Sequence, residues 1–187
     1  QMLSPDGLCH SFDASANGYV RGEGAGVVML KPLNRARKDG DNILAVIKGT
    51  ASNQDGKSNG ITAPNSQSQK RVIQDALIDA RLSPLDIDFV EAHGTGTELG
   101  DPIEVNALSD TYGNGRQQND SLIISSVKAN IGHLEPAAGI AGLIKAIQCL
   151  RHNSVPGQIH FNQPNPHIRW SDIAAVSYTH LRAHETV

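Results

Sequence analysis

The sequence has few cysteines, no long hydrophobic run and no excess of basic charge. Its 187 residues include 2 Cys, 16 Lys and Arg, and 19 Asp and Glu, which gives a formal net charge of −3. Two cysteines cannot form a disulfide framework, and no apolar stretch reaches the roughly 18 residues that cross a bilayer. Without a basic field, nucleic acid is a poor partner. No export signal opens the chain, so we expect a cytoplasmic protein with no membrane contact.

Alternating strand and helix patterns predict an α/β domain. Hydrophobic residues make up 39% and charged residues 19% of the chain, which are the proportions of one ordinary globular domain. Two short apolar, β-branched runs, residues 26–30 and 43–47, predict buried strands. A helical pattern follows over residues 66–81, and residues 88–92 and 121–127 predict two further strands.

The last two predicted strands each lead into a loop that contains a histidine and then into a helix. His93 precedes a helix that begins at Asp101, the expected N-cap residue, with Glu104 at the capping-box position. His133 precedes a helix that begins at Glu135. In α/β sheets such loops lie at the carboxyl edge, where active sites gather. A neutral imidazole near a helix N-terminus can donate to a developing oxyanion, so the two histidines predict a reaction that passes through an enolate.

Three other kinds of site fit the sequence less well. The glycine run after His93 does not end in Gly-Lys-Ser/Thr, so it is not a phosphate loop. Residues 22–26 (Gly-Glu-Gly-Ala-Gly) lead into a predicted strand, whereas a dinucleotide fingerprint leads into a helix. His180 and His184 have the i, i+4 spacing of a metal pair but no third ligand, so we predict no metal site.

Four motifs, in one order along the chain, together resemble β-ketoacyl synthases. Glu-Ala-His-Gly-Thr-Gly-Thr around His93 and Lys-Ala-Asn-Ile-Gly-His ending at His133 are similar to the two histidine motifs of that family. Other segments are similar to the ketosynthase domains of modular, type I polyketide synthases. The resemblance spans residues 3–170, and the four motifs are residues 12–26, residues 53–56 with 60–65, residues 91–97 with 100–104, and residues 128–133 with 137–142.

The resemblance implies a thiolase-like fold and an acyltransferase activity. In this fold two similar α/β halves form an α-β-α-β-α architecture, and the chain would supply the C-terminal half. A cysteine in the first half would take an acyl chain from a carrier protein. A malonyl-type extender would then lose carbon dioxide, and its enolate would attack the acyl-cysteine. This decarboxylative Claisen condensation elongates polyketide and fatty-acid chains.

Four residues would carry the catalytic roles that the resemblance implies. His93 and His133 would be the catalytic histidines that hold the thioester oxygen and assist decarboxylation. Lys128 would be the lysine of the site, with Glu104 as its acidic partner. A helix cap remains an alternative role for Glu104, and a solvated strand end for Lys128.

The resemblance also implies how substrates reach the site. Thr95 and Thr97 would contact the phosphopantetheine arm of an acyl carrier protein. We expect no cofactor and no metal bound by the domain itself. The expected partners are the acyl carrier protein, an adjacent acyltransferase domain and a second copy in a homodimer.

The chain departs from the family pattern because the nucleophilic cysteine motif is missing. Cys9 lies in a turn, and Cys149 lies within the last long helix. We therefore expect residues 1–42 to end the N-terminal half, residues 43–170 to form the C-terminal half, and residues 171–187 to run into an artefactual tail at 176–187. Such a fragment should be inactive alone. It should expose apolar surface at Met29, Leu30 and one face of the last long helix.

Two other functions stay open from the sequence. A non-catalytic partner, similar to chain-length-factor subunits, would keep the fold without the nucleophile. A thiolase-fold acyl-binding module or hydratase would bind thioesters without condensation chemistry. The presence of both His93 and His133 together with Lys128 favours the synthase.

Overall fold

A computed structural model describes residues 2–56, 64–117, 121–170 and the backbone of 181–182. Within this part of the chain, helices pack near one parallel pair of short strands, and a second strand pair is antiparallel. The helices are α1 (Leu33–Asp39), α2 (Ser66–Ala80), α3 (Gly100–Tyr112), α4 (Lys128–Ile131) and α5 (Ala138–His152), with 3-10 turns at Pro84–Asp86 and Glu135–Ala137. The strands are β1 (Phe89–Glu91), β2 (Ile123–Ser125), β3 (Ser154–Val155) and β4 (Leu181–Arg182).

The parallel pair β1 and β2 determines where the two histidine loops lie. Phe89 pairs with Ile123 and Glu91 pairs with Ser125. The ladder continues where the N–H of Ala92 donates to the carbonyl of Ser125 at 2.8 Å. Because parallel strands end at the same edge, the loops that follow β1 and β2 emerge side by side. The strands predicted at 88–92 and 121–127 are confirmed, although each is only three residues long.

The hydrophobic core lies between α3, α2 and the β1–β2 pair. Val105 on α3 is completely buried, and Leu108 one turn later is 5% exposed. The N-terminal segment contributes Phe12, which is also completely buried. The buried core residues are Phe12, Leu77, Ala92, Val105, Leu108, Tyr112, Leu122, Ile124 and Ile168.

The predicted strands at residues 26–30 and 43–47 are wrong. Among the described residues neither segment finds a hydrogen-bonded neighbour, which a strand requires. The side chains of Val27 and Met29 are 91% and 93% exposed, and Leu30 is also exposed. The apolar surface expected at Met29 and Leu30 is therefore confirmed. On α5, Leu143 and Leu150 are exposed as well.

The expected helix cap at Asp101 is also wrong. The helix α3 begins one residue earlier, at Gly100, and its N-cap residue Leu99 makes no side-chain cap. Asp101 and Glu104 instead accept hydrogen bonds from amides of other segments. The sequence has the spacing of a capping box, but buried amides outside the helix bind these carboxylates through charge-assisted hydrogen bonds.

Asp13 joins the N-terminal segment to the end of the described domain. Its carboxylate accepts from the N–H groups of Asn162 at 2.5 Å and Gln163 at 2.8 Å, and from the hydroxyl of Ser15 at 2.6 Å. Burial by itself raises the pKa of Asp13, but these hydrogen bonds outweigh it and hold the pKa below the ordinary value of 3.8.

The tail expected at residues 176–187 falls almost wholly outside the described residues. Only Leu181–Arg182 is described there, and its backbone pairs antiparallel with Ser154–Val155. His180 and His184 lie outside the described residues. Over the described part of the chain, no helix has the length and apolar character needed to span a membrane.

We predict that Asp13→Asn lowers the free energy of unfolding by about 2 kcal/mol at pH 7, because an amide replaces a charged acceptor of several hydrogen bonds. The stabilisation by Asp13 is complete above the ordinary pKa and is lost as the pH falls through the lowered pKa of the folded protein. Urea unfolding at pH 7 and near pH 3 measures both effects. The exposed Asp75→Asn is the control, and equal stability of the two variants at pH 7 would contradict the prediction.

We also predict that the isolated chain self-associates through residues 27–30, because exposed apolar patches of a few hundred Å² promote association. Light scattering should show oligomers that bind a hydrophobic dye. The double variant Val27→Lys, Met29→Lys should reduce association without changing stability, since both side chains are almost fully exposed. Ile78→Lys, an exposed change outside this surface, is the control. A monomer that binds no dye would refute this.

Candidate active site

The loops that follow β1 and β2 bring the two histidines together at one cavity. The ring centroids of His93 and His133 are 5.4 Å apart, with the rings nearly perpendicular at 84°. The ring of Tyr19 lies 5.2 Å from that of His133. The cavity has a volume of about 490 Å³ and is lined by Glu91, Ala92, His93, Lys128, His133, Glu135, Ala138, Gly139, Gly142, Leu143 and Ala146.

Glu104 holds the start of the first histidine loop. Its carboxylate accepts from the N–H of His93 at 2.6 Å and from the N–H of Gly94 at 2.8 Å. Gly94 has a φ of +43°, and a Cβ there would lie 2.6 Å from Ser126 and 2.7 Å from the ring of Phe12. Only glycine fits this position, because both the backbone conformation and the space exclude a side chain.

Asp101 holds the rest of the same loop from beneath. Its side chain accepts from the N–H groups of Phe12 at 2.7 Å, Gly96 at 3.1 Å and Thr97 at 3.3 Å. Burial raises the pKa of Asp101 to about 7, although these hydrogen bonds lower it. The sequence pattern indicated only a helix cap for Asp101, because nothing in the local residues signals contacts with Phe12.

His133 is fixed in one tautomer by the backbone that follows it. The N–H of Glu135 donates to Nδ1 of His133 at 2.9 Å. A backbone amide is always the donor, so in the neutral ring the proton lies on Nε2. The loop is anchored to the N-terminal segment, since the N–H of His133 donates to the carbonyl of Val20 at 2.7 Å.

Lys128 lies buried at the start of α4, next to both histidines. It is 5% exposed, and burial lowers its pKa, while Glu104 and Glu91 act in the opposite direction. Within the described residues no direct ion pair joins Lys128 to Glu104, because both carboxylate oxygens of Glu104 bind loop amides. The expected partnership with Glu104 is a longer-range charge interaction.

Burial, with the positive charge of Lys128 as a second cause, keeps both histidines neutral near pH 7. The pKa of His93 falls to about 4, first through partial removal from water and then through the charges of Lys128 and His133. The pKa of His133 is also lowered, by burial and by Lys128, with Glu135 acting against them. Neutral imidazoles can donate a hydrogen bond from one nitrogen without first losing a proton.

Neither the two threonines nor the two cysteines line the cavity. The hydroxyls of Thr95 and Thr97 are 3.1 Å apart within the loop, and neither residue lines the cavity. Cys9 is buried, its sulfur accepts from the N–H of Val20 at 3.1 Å, and burial raises its pKa. Cys149 is buried on α5 with a raised pKa. The described residues contain no cluster of side chains suited to a metal ion.

Family models match most of the chain. A model described as "Beta-ketoacyl synthase, C-terminal domain" matches residues 44–162. A second model, "Beta-ketoacyl synthase, N-terminal domain", matches residues 1–36. The two matches follow each other without overlap.

Similar curated proteins are much longer polyketide synthases. The chain is 54% identical over 171 residues to a phenolphthiocerol/phthiocerol polyketide synthase of Mycobacterium tuberculosis. It is 51% identical over 180 residues to polyketide synthase GfsA of Streptomyces halstedii. These matches cover 91% and 96% of this chain, but 9% and 2% of the two synthases.

Solved ketosynthase structures have the same fold. The ketosynthase from module 6 of the bacillaene synthase of Bacillus subtilis 168 matches with a TM-score of 0.93 at 41% identity. The oxazolomycin ketosynthase domain OzmH KS7 of Streptomyces albus matches with a TM-score of 0.92 at 39% identity. Each match covers all of this chain and 33% of the solved chain. The chain belongs to the β-ketoacyl synthase family, as part of a type I polyketide synthase ketosynthase domain with the thiolase-like α/β fold.

Proposed function

We propose that the intact protein elongates acyl chains by decarboxylative condensation, and that this chain supplies its histidine half. The observation that carries the proposal is the pair of neutral histidines 5.4 Å apart across one cavity, with the proton of His133 held on Nε2. Two N–H donors that are in place before the reaction suit an oxyanion that develops during it.

The first chemical step is the loss of carbon dioxide from a malonyl thioester. The bond between the α-carbon and the carboxylate breaks, carbon dioxide leaves, and the electron pair forms an enolate on the thioester oxygen. Nε2–H of His133 and the imidazole of His93 donate to that oxygen. Both donors are in place before the charge develops, so they stabilise the transition state more than the bound substrate.

Carbon–carbon bond formation follows at a cysteine outside this chain. The enolate carbon attacks the carbonyl of the acyl-cysteine thioester, the carbon–sulfur bond breaks, and the thiolate leaves. Cys9 and Cys149 are buried, have raised pKa values and do not line the cavity, which makes them poor nucleophiles. The chain by itself is therefore expected to show no condensation.

Lys128 and Glu104 would support the histidines rather than react. Lys128 places a positive charge beside His93, which adds to the effect of burial in keeping this ring neutral. Glu104 fixes the backbone of the loop that carries His93. These contacts support roles in which both residues set the position and protonation of the histidines.

The remaining parts of the proposal concern domains and partners. Residues 1–42 would end the N-terminal half and 43–170 would form the C-terminal half, a division that the family matches at 1–36 and 44–162 support. Substrates would arrive on the phosphopantetheine of an acyl carrier protein, with Thr95 and Thr97 near its arm. An adjacent acyltransferase domain and a homodimer complete the proposed assembly.

We predict that His93→Ala and His133→Ala each slow carbon dioxide release about 10²–10³-fold, because each removes a preorganised oxyanion donor. The test uses a hybrid ketosynthase in which this chain replaces the matching third of the bacillaene module 6 domain. Acyl loading of the cysteine should be largely retained. The exposed His167→Ala is the control. If either cavity variant released carbon dioxide at the rate of the unmutated hybrid, that histidine would have no catalytic role.

A second prediction concerns protonation. In the isolated chain, His93 should titrate with a pKa of about 4, and Lys128→Met should raise that pKa because a neighbouring positive charge is removed. NMR titration of histidine-labelled protein measures both values, and His93→Gln identifies the resonance. A His93 pKa at its ordinary value, or unchanged in Lys128→Met, would contradict the prediction.

A further inference from the structure

We propose that Glu91 is a positioning residue of this site, whose carboxylate, locked by Lys145, holds the backbone before α4 and thereby places Lys128 beside His93. The effect of Glu91 on catalysis rests on the proposed function, because it acts through Lys128 and His93. Its structural part concerns the chain alone, and neither Glu91 nor Lys145 is needed for any step described above.

Glu91 reaches the cavity from the last residue of β1. Both Glu91 and His93, two residues later in the loop, line the cavity. One carboxylate oxygen of Glu91 accepts from the N–H of Val127 at 2.5 Å. Val127 is the residue that precedes Lys128, so this hydrogen bond fixes the point at which α4 begins.

Lys145 holds the other oxygen of the Glu91 carboxylate. Its ammonium lies 2.7 Å from Glu91 and also donates to the hydroxyl of Ser125 at 2.6 Å. The hydroxyl of Ser125 in turn donates to Glu91 at 3.3 Å. The side chains of Lys145 and Glu91 are 13% and 10% exposed, so solvent screens this ion pair little.

The helix α5 is shaped to admit this carboxylate. A Cβ at Gly142 would lie 3.1 Å from Cγ of Glu91, so a larger residue there would press on the glutamate. Lys145 follows three residues later on the same helix face. The strand β1, the start of α4 and the helix α5 therefore all meet at one carboxylate.

Other contacts before α4 are uncharged. Gln158 exchanges hydrogen bonds with the backbone of Ser126 at 2.9 and 3.3 Å. The hydroxyl of Ser126 accepts from the N–H of Lys128 at 3.3 Å. Glu91 provides the short, charge-assisted contact, which is the stronger kind.

The decisive measurement is the NMR titration of His93 in the 187-residue chain. The titratable groups around His93 are Lys128 from α4, His133 from the following loop, and Glu104 from α3. Removing the negative charge of Glu91 would by itself lower the pKa of His93. Displacing Lys128 would raise the pKa. Loss of the Glu91 charge and displacement of Lys128 therefore change the pKa of His93 in opposite directions.

We expect Glu91→Ala to raise the titration midpoint of His93 by about one pH unit. Glu91→Gln keeps an oxygen for the N–H of Val127, so its midpoint should stay close to the unmutated value. Glu98→Ala, an exposed change in the neighbouring loop, is the matched control. A midpoint unchanged or lowered in Glu91→Ala, while Lys128→Met raises it, would overturn the proposal.

Lys145→Met covers the case in which Glu91→Ala does not fold, as judged by urea unfolding. It leaves the carboxylate in place but without the cation that orients it, and the midpoint of His93 should again rise. A folded Lys145→Met protein with an unchanged midpoint would then overturn the proposal.

The hybrid ketosynthase separates this inference from the proposed function. There Glu91→Ala should slow carbon dioxide release about 10²-fold, since small displacements of a catalytic group have effects of that size. Acyl loading should be unchanged, and Glu91→Gln should recover most of the rate. Retained activity in Glu91→Ala, with loss in His93→Ala, would refute the positioning role alone. If His93→Ala and His133→Ala both kept carbon dioxide release and acyl loading, the proposed function would be refuted. The titration of His93 would still decide the position of Lys128.

Discussion

The carboxylate of Asp101 is almost inaccessible to water, yet it accepts hydrogen bonds from three backbone amides. These belong to Phe12, Gly96 and Thr97, which lie in two segments far apart in the chain. A buried amide without a partner is costly, and so is a buried charge without donors. Each side therefore requires the other, and the loop that carries His93 has one arrangement that satisfies both. Glu104 repeats the principle one turn later on α3. The position of the histidine follows from these two carboxylates.

The charged side chains of the site follow an order from the acidic residues to Lys128 to the histidines. Acidic side chains from β1 and α3 surround Lys128, and Lys128 in turn lies against the histidines. The acidic groups offset the cost of burying an ammonium, while the ammonium disfavours protonation of the imidazoles. The cavity lining therefore combines the neutral hydrogen-bond donors of the two histidines with the charged side chains of Glu91, Lys128 and Glu135. A reaction that generates an oxyanion gains most from such donors.

The sequence predicted the strands around residues 89–91 and 123–125, the loops after them and the meeting of His93 with His133, because apolar runs and glycine-rich turns are local signals. It did not predict the contacts of Asp101 with Phe12 or of Glu91 with Val127, because these join segments far apart in the chain. The errors at 26–30 and 43–47 have a related cause. An apolar run shows that a segment is suited to a sheet, but it does not show whether a neighbouring strand is there to pair with it.

The hydrogen bonds of Asp13 to Asn162 and Gln163 span 149 and 150 positions of the chain. During synthesis on a ribosome, the residues that carry Asp13 and Phe12 emerge long before their partners do. Until residues 162–163 leave the exit tunnel, the carboxylate of Asp13 lacks these two amide donors, and closing so long a loop has an entropic cost. The link between the N-terminal segment and residues 162–163 is therefore among the last contacts of the described part of the chain that can form during translation.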